Sequence, residues 1–543
     1  SDLATLFLFM SSPREREEEH QPTSTHAKYQ VVIVGAGVAG AASAYYLSQI
    51  EEVKSVCVLE RGKVGRGSKE GKPLVRHATL LHSDEAHDAV NNNNSNSSVN
   101  EEEIKKSSKT VADDEDKVFT YARSSGTAVF ENPNESNIKM IVNIFPCSSD
   151  EYIAHHGEDG ARSYLRLAHK GQMLQKQLAA SVLSDPKSQL TCLGSLYVCL
   201  EKDIIEFEKE FVSLQRLGAR DIEWWEEDRT QKCAGPDFRR GIFFPHDAVI
   251  DSSSYAEGLM QSAISTGKVT LIEQCSPMTQ VNTVTADDEC RSQMAITTLK
   301  DGTAIRSDWV VLATGGLFLE PSLAGILKPC WSYLVSIPAP AAADTTNKSL
   351  QVQDSESSFR LQSPDSPNFF SWNFTHDWCL TKGYLRCSGE DHYSALKPPR
   401  SAHRCNSLAR WTLQKLPYLK TSPTSVSSTA TSSEEQQGTT TLTQEDANTL
   451  DGVAYSARYG VYSETPDHSP LVGTPHPNSR VCYIVGCNAW GQALMSFASS
   501  LIPSLLGFRT MSPQDKEDFL VLNIRRFALL DAVLADDYIP EMK

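Results

Sequence analysis

Six consecutive residues decide most of what this chain can fold into. Gly35, Ala36, Gly37, Val38, Ala39 and Gly40 form a G-x-G-x-x-G run between a β-branched apolar stretch, YQVVIV, and an alanine-rich one, VAGAASAYYLSQ. A continuous apolar run ending in glycine reads as a buried parallel strand. The alanine-rich stretch reads as helix. A second strand, SVCVLER, completes a βαβ unit of about 30 residues. Gly35 permits the tight turn, Gly37 lets the backbone approach a pyrophosphate, and Gly40 lets helix and strand pack closely. Gly37, Val38 and Ala39 then open a helix whose N–H groups and positive dipole end suit phosphates. Glu60 lies 60 − 40 = 20 residues past the last glycine, where a carboxylate accepts bonds from ribose hydroxyls and repels a 2′-phosphate. Arg61 and Ser68, just beyond, are further candidate cofactor contacts. The unit alone does not separate NAD from FAD.

Charge and composition narrow the partners. Against 51 basic residues stand 68 acidic ones, a net of −17 over 543 residues, which argues against nucleic acid. No run of 18 apolar residues exists, so no transmembrane span is expected. The 13 cysteines are scattered and include no C-x-x-C pair, which removes the usual zinc and redox signatures. They read as buried small hydrophobes in a reducing intracellular compartment, cytoplasm or organelle. No metal spacing links His246, His376 and His392.

Four segments are too polar to bury, and are expected as loops or disorder, with docking to protein partners as the alternative reading. They are 1–27, 83–116 with its asparagine run, 339–366, and the Ser/Thr-rich 421–446. The opening SDLATLFLFM is readable as the stub of a processed targeting peptide or as a frayed end.

The remaining sequence alternates strands and helices. SSSYAEGLMQSAISTG reads as helix, KVTLIEQ as strand, and DWVVLATGG as a buried strand ending in Gly315 and Gly316. The stretches near 190–245 and 368–400, rich in aromatic and alternating residues, read as antiparallel sheet. Late in the chain come Arg458-Tyr459-Gly460 and the segment TPDHSPLVG. A strand then ends at Val485-Gly486, followed by Asn488, Trp490, Gly491 and Gln492 before a helix.

With GAGVAG, Glu60, the ATGG strand, TPD…PLVG and the final G-x-N-x-x-G, the chain resembles the FAD-dependent amine and amino-acid oxidoreductases. These include sarcosine oxidase, glycine oxidase and D-amino-acid oxidase. The likeness covers most of the chain outside the polar segments. It extends to GKPLVRHA, similar to a sarcosine oxidase stretch along flavin and substrate, and to the organellar FAD-dependent oxidoreductase domain-containing proteins. It implies an α/β fold in which a Rossmann-like FAD domain, from 28–82, 245–325 and 451–510, interleaves with an antiparallel-sheet (α+β) substrate domain. The latter takes 150–244 and 326–420, and 511–543 forms a C-terminal helical tail.

The activity implied is hydride removal from the carbon beside an amine, with the imine then hydrolysed and the flavin reoxidised by oxygen or another acceptor. Cofactor contacts fall to Gly35, Gly37, Val38, Ala39, Gly40, Glu60, Arg61, Ser68, Gly315, Gly316, Gly486, Asn488, Trp490, Gly491 and Gln492. Arg458 and Arg76 match substrate-carboxylate arginines, whose planar forks bind carboxylate bidentately. Lys382 and Arg386 lie in a stretch resembling the strand with the oxygen-activating lysine, where a fixed cation stabilises superoxide. Trp372, Tyr384 and Trp490 are candidates for the pocket wall. Gly460 replaces the cysteine that tethers flavin in sarcosine oxidase, so FAD is expected to be noncovalent. Gln492-Ala493 stand where that enzyme has a lysine, which puts a sarcosine-like substrate in question. The missing lysine and the polar segments leave open a flavin-bound assembly or scaffold subunit.

Overall fold

The computed structural model describes residues 28–65, 138–285, 293–315, 323, 326–338, 367, 369–373, 375–381, 384–393, 401–416 and 455–527. The four polar segments lie outside these residues, as do Ser68, Arg76, Gly316 and Lys382.

The first sheet runs β10 (Met278–Thr285), β11 (Gln293–Leu299), β12 (Ala304–Gly315), β1 (Lys28–Val34), β2 (Val56–Leu59) and β9 (Val269–Ile272). The strand β12 also takes β19 (Val481–Val485), which carries β18 (Leu471–Gly473). From β12 to β9 all pairings are parallel. The β1 valines alternate faces, as period-2 geometry requires. Val31 and Ile33 enter the core under the helices, and Val32 and Val34 enter the core on the opposite face.

The helical layer contains α1 (Val38–Ser48), α2 (Ser149–Val182), α3 (Ser252–Ser265) and, near the end, Gln492–Leu505. Small residues permit close crossings. A Cβ on Gly171 of α2 would stand 2.1 Å from the Ala493 carbonyl oxygen, and the Ser499 hydroxyl donates to the Ala39 carbonyl at 3.0 Å.

The second sheet runs β17 (Ser456–Glu464), β13 (Lys328–Pro338), β16 (Tyr384–Tyr393), β15 (His376–Thr381), β14 (Phe369–Trp372), β5 (Ser195–Cys199), β7 (Arg240–Phe244) and β6 (Glu223–Trp225). Its pairings are antiparallel except β14 with β5. The helix α4 (Ser401–Lys415) covers it, burying Cys405, Leu408, Ala409 and Leu413 against Trp331, Trp378 and Leu385. A small third sheet joins β3 (Ile138–Ile141), β8 (Ala248–Asp251) and β4 (Leu190–Thr191).

One boundary drawn from sequence is corrected. The segment 451–510 does not belong wholly to the nucleotide domain: β17 pairs with β13 from Lys328↔Glu464 to Ser336↔Ser456. The cause is packing, because Tyr459 and Val461 bury in the second core with Trp331 and Tyr333. The later part, β18, β19 and α5 (Gln492–Leu505), belongs to the first sheet and its helices. Similarly β8, within 245–325, joins the third sheet.

After Leu505 the chain forms a short helix at Pro513–Asp518 and two 3₁₀ turns. There Arg526 grips Asp467 with two bonds, Nε to Oδ2 at 2.6 Å and Nη2 to Oδ1 at 2.9 Å. Burial alone would raise the Asp467 carboxyl, but the guanidinium holds it below the usual range. This carboxylate therefore stabilises the fold above the ordinary aspartate value of about 3.9, and the contribution is lost as pH falls through its lower folded value. Arg526→Ala leaves a buried charge without this partner, at an expected cost of about 3–5 kcal/mol. A urea midpoint unchanged from wild type would show that the clasp does not hold the tail.

Candidate active site

A cleft opens where the two large sheets meet, enclosing about 1860 Å³ of empty space with the open solvent at its mouth included. Its nucleotide side is formed by Gly37, Val38, Ala39 and Gly315, with the turn from Cys487 to Gln492. The opposite side is the face of β13, β16 and β17, with Lys139 from β3 at its margin.

At the nucleotide end the glycines do distinct things. Gly35 has φ +98°, and a Cβ there would lie 2.4 Å from the Ala313 carbonyl oxygen. A Cβ on Gly40 would lie 1.8 Å from the Gly35 carbonyl oxygen. Gly37, in ordinary extended backbone, is the N-cap of α1, and no side chain caps the helix there. The first N–H groups of α1 are thus left for a ligand in the cleft. Glu60 is buried and holds this loop: Ala36 N–H donates to Oε2 at 2.8 Å and Gly62 N–H to Oε1 at 2.7 Å. A carboxylate has about four acceptor sites, so two remain for hydroxyls. Arg61 is not among the lining residues; it stands near Cys275, where burial pushes the thiol up and the Arg61 charge only partly opposes the rise.

A second uncapped helix start faces the same space. Gly491 is the N-cap of α5, and Gln492 follows with its Nε2 buried and without a hydrogen-bond partner among the described residues. The preceding turn is held in left-handed backbone at Gly486 (φ +74°), Asn488 (+50°) and Ala489 (+62°). Asn488 fixes it, accepting from Thr465 N–H at 2.8 Å and donating to the Gly486 carbonyl at 2.8 Å. Its side chain therefore positions the turn. Trp490 lines the cleft, packed near Tyr197 and Phe369. Trp372, by contrast, stacks on Trp411 at 5.8 Å in the second core, and Tyr384 is not a lining residue. Two uncapped helix ends, a glycine cradle and an orphaned amide donor fit an extended dinucleotide.

The far wall is ionisable. Arg386 is buried and lines the cleft. Arg458 occupies a place in β17 opposite Leu334, a lining residue. Desolvation by the cleft walls pushes Asp377 up to about 7 and Asp391, whose side chain is open to the cleft, up to about 6. For Asp391, bonds from Ser332 and Tyr462 and the charge of Lys139 oppose that rise, while Glu464 adds to it. The Tyr462 hydroxyl lies 2.9 Å from both Asp391 Oδ2 and Glu464 Oε1, one proton between two acids. Burial lowers Lys139, which has Cys487 and Asp391 beside it.

Sequence reasoning missed Lys139, Asp377, Asp391, Tyr462 and Glu464. A β-bulge explains the case of Asp391. Tyr333 pairs with Gly389 but Trp331 with His392, so β16 carries an extra residue, marked by Glu390 at φ +57°. Strict alternation would separate Arg386 from Asp391; the bulge resets the parity and both line the cleft. The glycine in SGEDH was the available signal.

Residues 30–502 match the DAO family model, described as FAD dependent oxidoreductase. A stretch of 61 residues is 36% identical to sarcosine oxidase subunit beta of Rhodobacter capsulatus, covering 11% of this chain and only 14% of that protein. Glycine oxidase from Geobacillus kaustophilus shares the fold at TM-score 0.54 and 14% identity, over 90% of this chain and 96% of that one. Amadoriase I from Aspergillus fumigatus, a fructosyl amine: oxygen oxidoreductase, superposes at 0.55 with 12% identity, over 94% and 93%. For L-proline dehydrogenase from P. horikoshii the values are 0.51, 13%, 92% and 98%. Among the described residues, no helix is long and apolar enough to cross a membrane.

Proposed function

Because the chain belongs to the DAO family of FAD-dependent oxidoreductases, we propose that it oxidises the C–N bond of a small amine or amino acid. One observation carries the reading: a single cleft joins the uncapped start of α1 to a wall holding a buried arginine and two raised carboxyls. The fold is shared with proteins named for glycine, fructosyl amine and L-proline, each an amine. Gly35, Gly37 and Gly40 with Glu60 would hold the nucleotide half of FAD, and Gly315 and Trp490 to Gln492 the remainder. FAD supplies acceptance of a hydride.

The chain's own groups do the rest. Arg386 binds a substrate carboxylate, with Arg458 as a second clamp. Asp391, oriented by Ser332 and Tyr462, takes the proton of the substrate ammonium at its carboxylate, freeing the nitrogen lone pair. Trp490 and Phe369 shield the reacting carbon from water. With Gly460 in place of a tethering cysteine, acid precipitation should release all the flavin into the supernatant. Flavin retained in the pellet would point to a bond with Cys379 or Cys487, both of which line the cleft.

The test is anaerobic bleaching of flavin absorbance against a panel of free, N-methylated and N-glycated amino acids. If none bleaches it, a flavin-bound scaffold becomes the better reading. Asp391 gives a pH signature with a definite sign. Desolvation raises its carboxyl to about 6, so it accepts a proton only above that pH. The apparent second-order rate of reduction should fall about tenfold per unit below pH 6 in wild type. Asp391→Asn should be slow at every pH and lack this limb; retention of the limb would assign the proton to another group.

A further inference from the structure

Outside the cleft, three side chains of different chemistry converge where α2 begins. Cys147, Glu151 and His468 each offer one ligand atom, and these atoms lie within 4.8 Å of one another. His468 Nε2 is 3.1 Å from Glu151 Oε1. A fourth side chain is close: His155 stands edge-on to His468, with ring centroids 5.8 Å apart. The local sequence is C-x-x-x-E-x-x-x-H. Glu151 and His155, four apart on α2, share one helix face. Cys147 sits just ahead of the Ser148 N-cap. His468 arrives from the TPDH turn with φ +61°, a left-handed backbone uncommon for histidine.

We propose that Cys147, Glu151 and His468, with His155 as a fourth ligand, bind a zinc-class divalent cation that ties α2 to the TPDH turn. The donor set selects the ion. One sulfur, ring nitrogens and one carboxylate oxygen suit Zn²⁺ and its borderline-soft neighbours. Ca²⁺ and Mg²⁺ want oxygen alone. Glu151, Glu210 and Glu464 place their charges near the buried Cys147, a negative surrounding which a cation would balance. The positive end of α2 opposes a cation, and Asp150 and Glu151 in its first turn counter that field. On binding, the S–H bond is exchanged for a sulfur–metal bond and the proton leaves to solvent. The site connects to the cleft, since Thr465 at the head of the same turn is bonded to Asn488.

The experiment uses the flavin-loaded full chain, dialysed against chelator and then titrated with Zn²⁺ in competition with a chromophoric chelator. Co²⁺ difference spectra serve as a second probe. The expected result is one equivalent of Zn²⁺, a raised thermal midpoint, and a thiolate-to-cobalt band in the near ultraviolet. Cys147→Ser should remove that band, and His468→Asn should weaken Zn²⁺ binding at least tenfold. Asparagine is chosen because it tolerates the left-handed backbone. Glu151 is half exposed, so Glu151→Gln should fold normally and also bind more weakly, which keeps the test valid if Cys147→Ser misfolds. Absence of stoichiometric Zn²⁺ binding overturns the proposal. So does equal binding in His468→Asn and Glu151→Gln, which would place the ion elsewhere.

Discussion

Valine at position 40 should leave no folded flavoprotein, whereas valine at position 37 should leave a folded protein without flavin. The two glycines stand three residues apart and fail for different reasons. A Cβ on Gly40 would sit 1.8 Å from the Gly35 carbonyl oxygen, a distance no adjustment of a flexible side chain relieves. The helix must then leave the sheet, uncovering Ala41, Ala42 and Ala44, all fully buried. Overpacking of this kind commonly costs about 1–3 kcal/mol and more when backbone must move, a large share of a stability of about 5–15 kcal/mol. Gly37 has φ −68° and ψ −175°, which any residue adopts. Its substitution blocks only the approach of a pyrophosphate to the helix start. Soluble yield, thermal midpoint and flavin-to-protein absorbance ratio separate the two. A flavin-bound Gly37→Val protein would take the phosphate site away from this loop.

Loss of Arg386 should be nearly as severe, in kinetics. If its guanidinium clamps a desolvated substrate carboxylate, Arg386→Ala costs about 2–5 kcal/mol. That is roughly 30- to 5000-fold in apparent affinity at about 1.4 kcal/mol per decade. Arg386→Lys keeps the charge but loses the two-pronged geometry, and should fall between. The same pair of substitutions at Arg458 decides which arginine grips and which supports. The readout is the anaerobic flavin reduction rate against amino-acid concentration, with flavin content checked first because Arg386 is buried. A concentration dependence indifferent to both alanine substitutions would mean the substrate carries no carboxylate, and would favour a plain amine.

What could be read in advance follows from how local each signal is. The βαβ unit is specified within about 30 residues by period and by glycine spacing, so β1, α1, β2 and the place of Glu60 were all legible, but not the bonds by which Glu60 holds the loop. The long β12 strand and the helix beginning at Gln492 were legible for the same reason. The assignment of β17 was not, because its sequence motif ends in the nucleotide layer while its backbone pairs with β13, a strand more than 120 positions earlier. The acidic wall was hidden differently. Asp391 faces the cleft only through a bulge, and Lys139 comes from a short edge of the third sheet. Raised carboxyls come from desolvation by the surrounding cleft walls, which no count of acidic residues reveals. Asn488 lines the cleft as its motif suggests, and its hydrogen bonds add a role the motif does not show, fastening the turn.

The order of strands in the first sheet sets a timetable for biosynthesis. Its centre, β1, emerges from the ribosome first, yet its neighbour β12 follows some 278 residues later, from the Lys28↔Arg306 pairing. The strand β19, which pairs with β12, follows 481 − 310 = 171 residues after it, with the helix start at Gly491 just beyond. A nascent chain therefore carries an exposed, strongly apolar strand, VVIV, until β12 is made, with no partner on one side. Such edges are where aggregation begins. The cleft between Gly37 and Gly491 is complete only once both segments are made, so flavin loading is expected to follow their synthesis, and production is expected to depend on chaperones that shield β1.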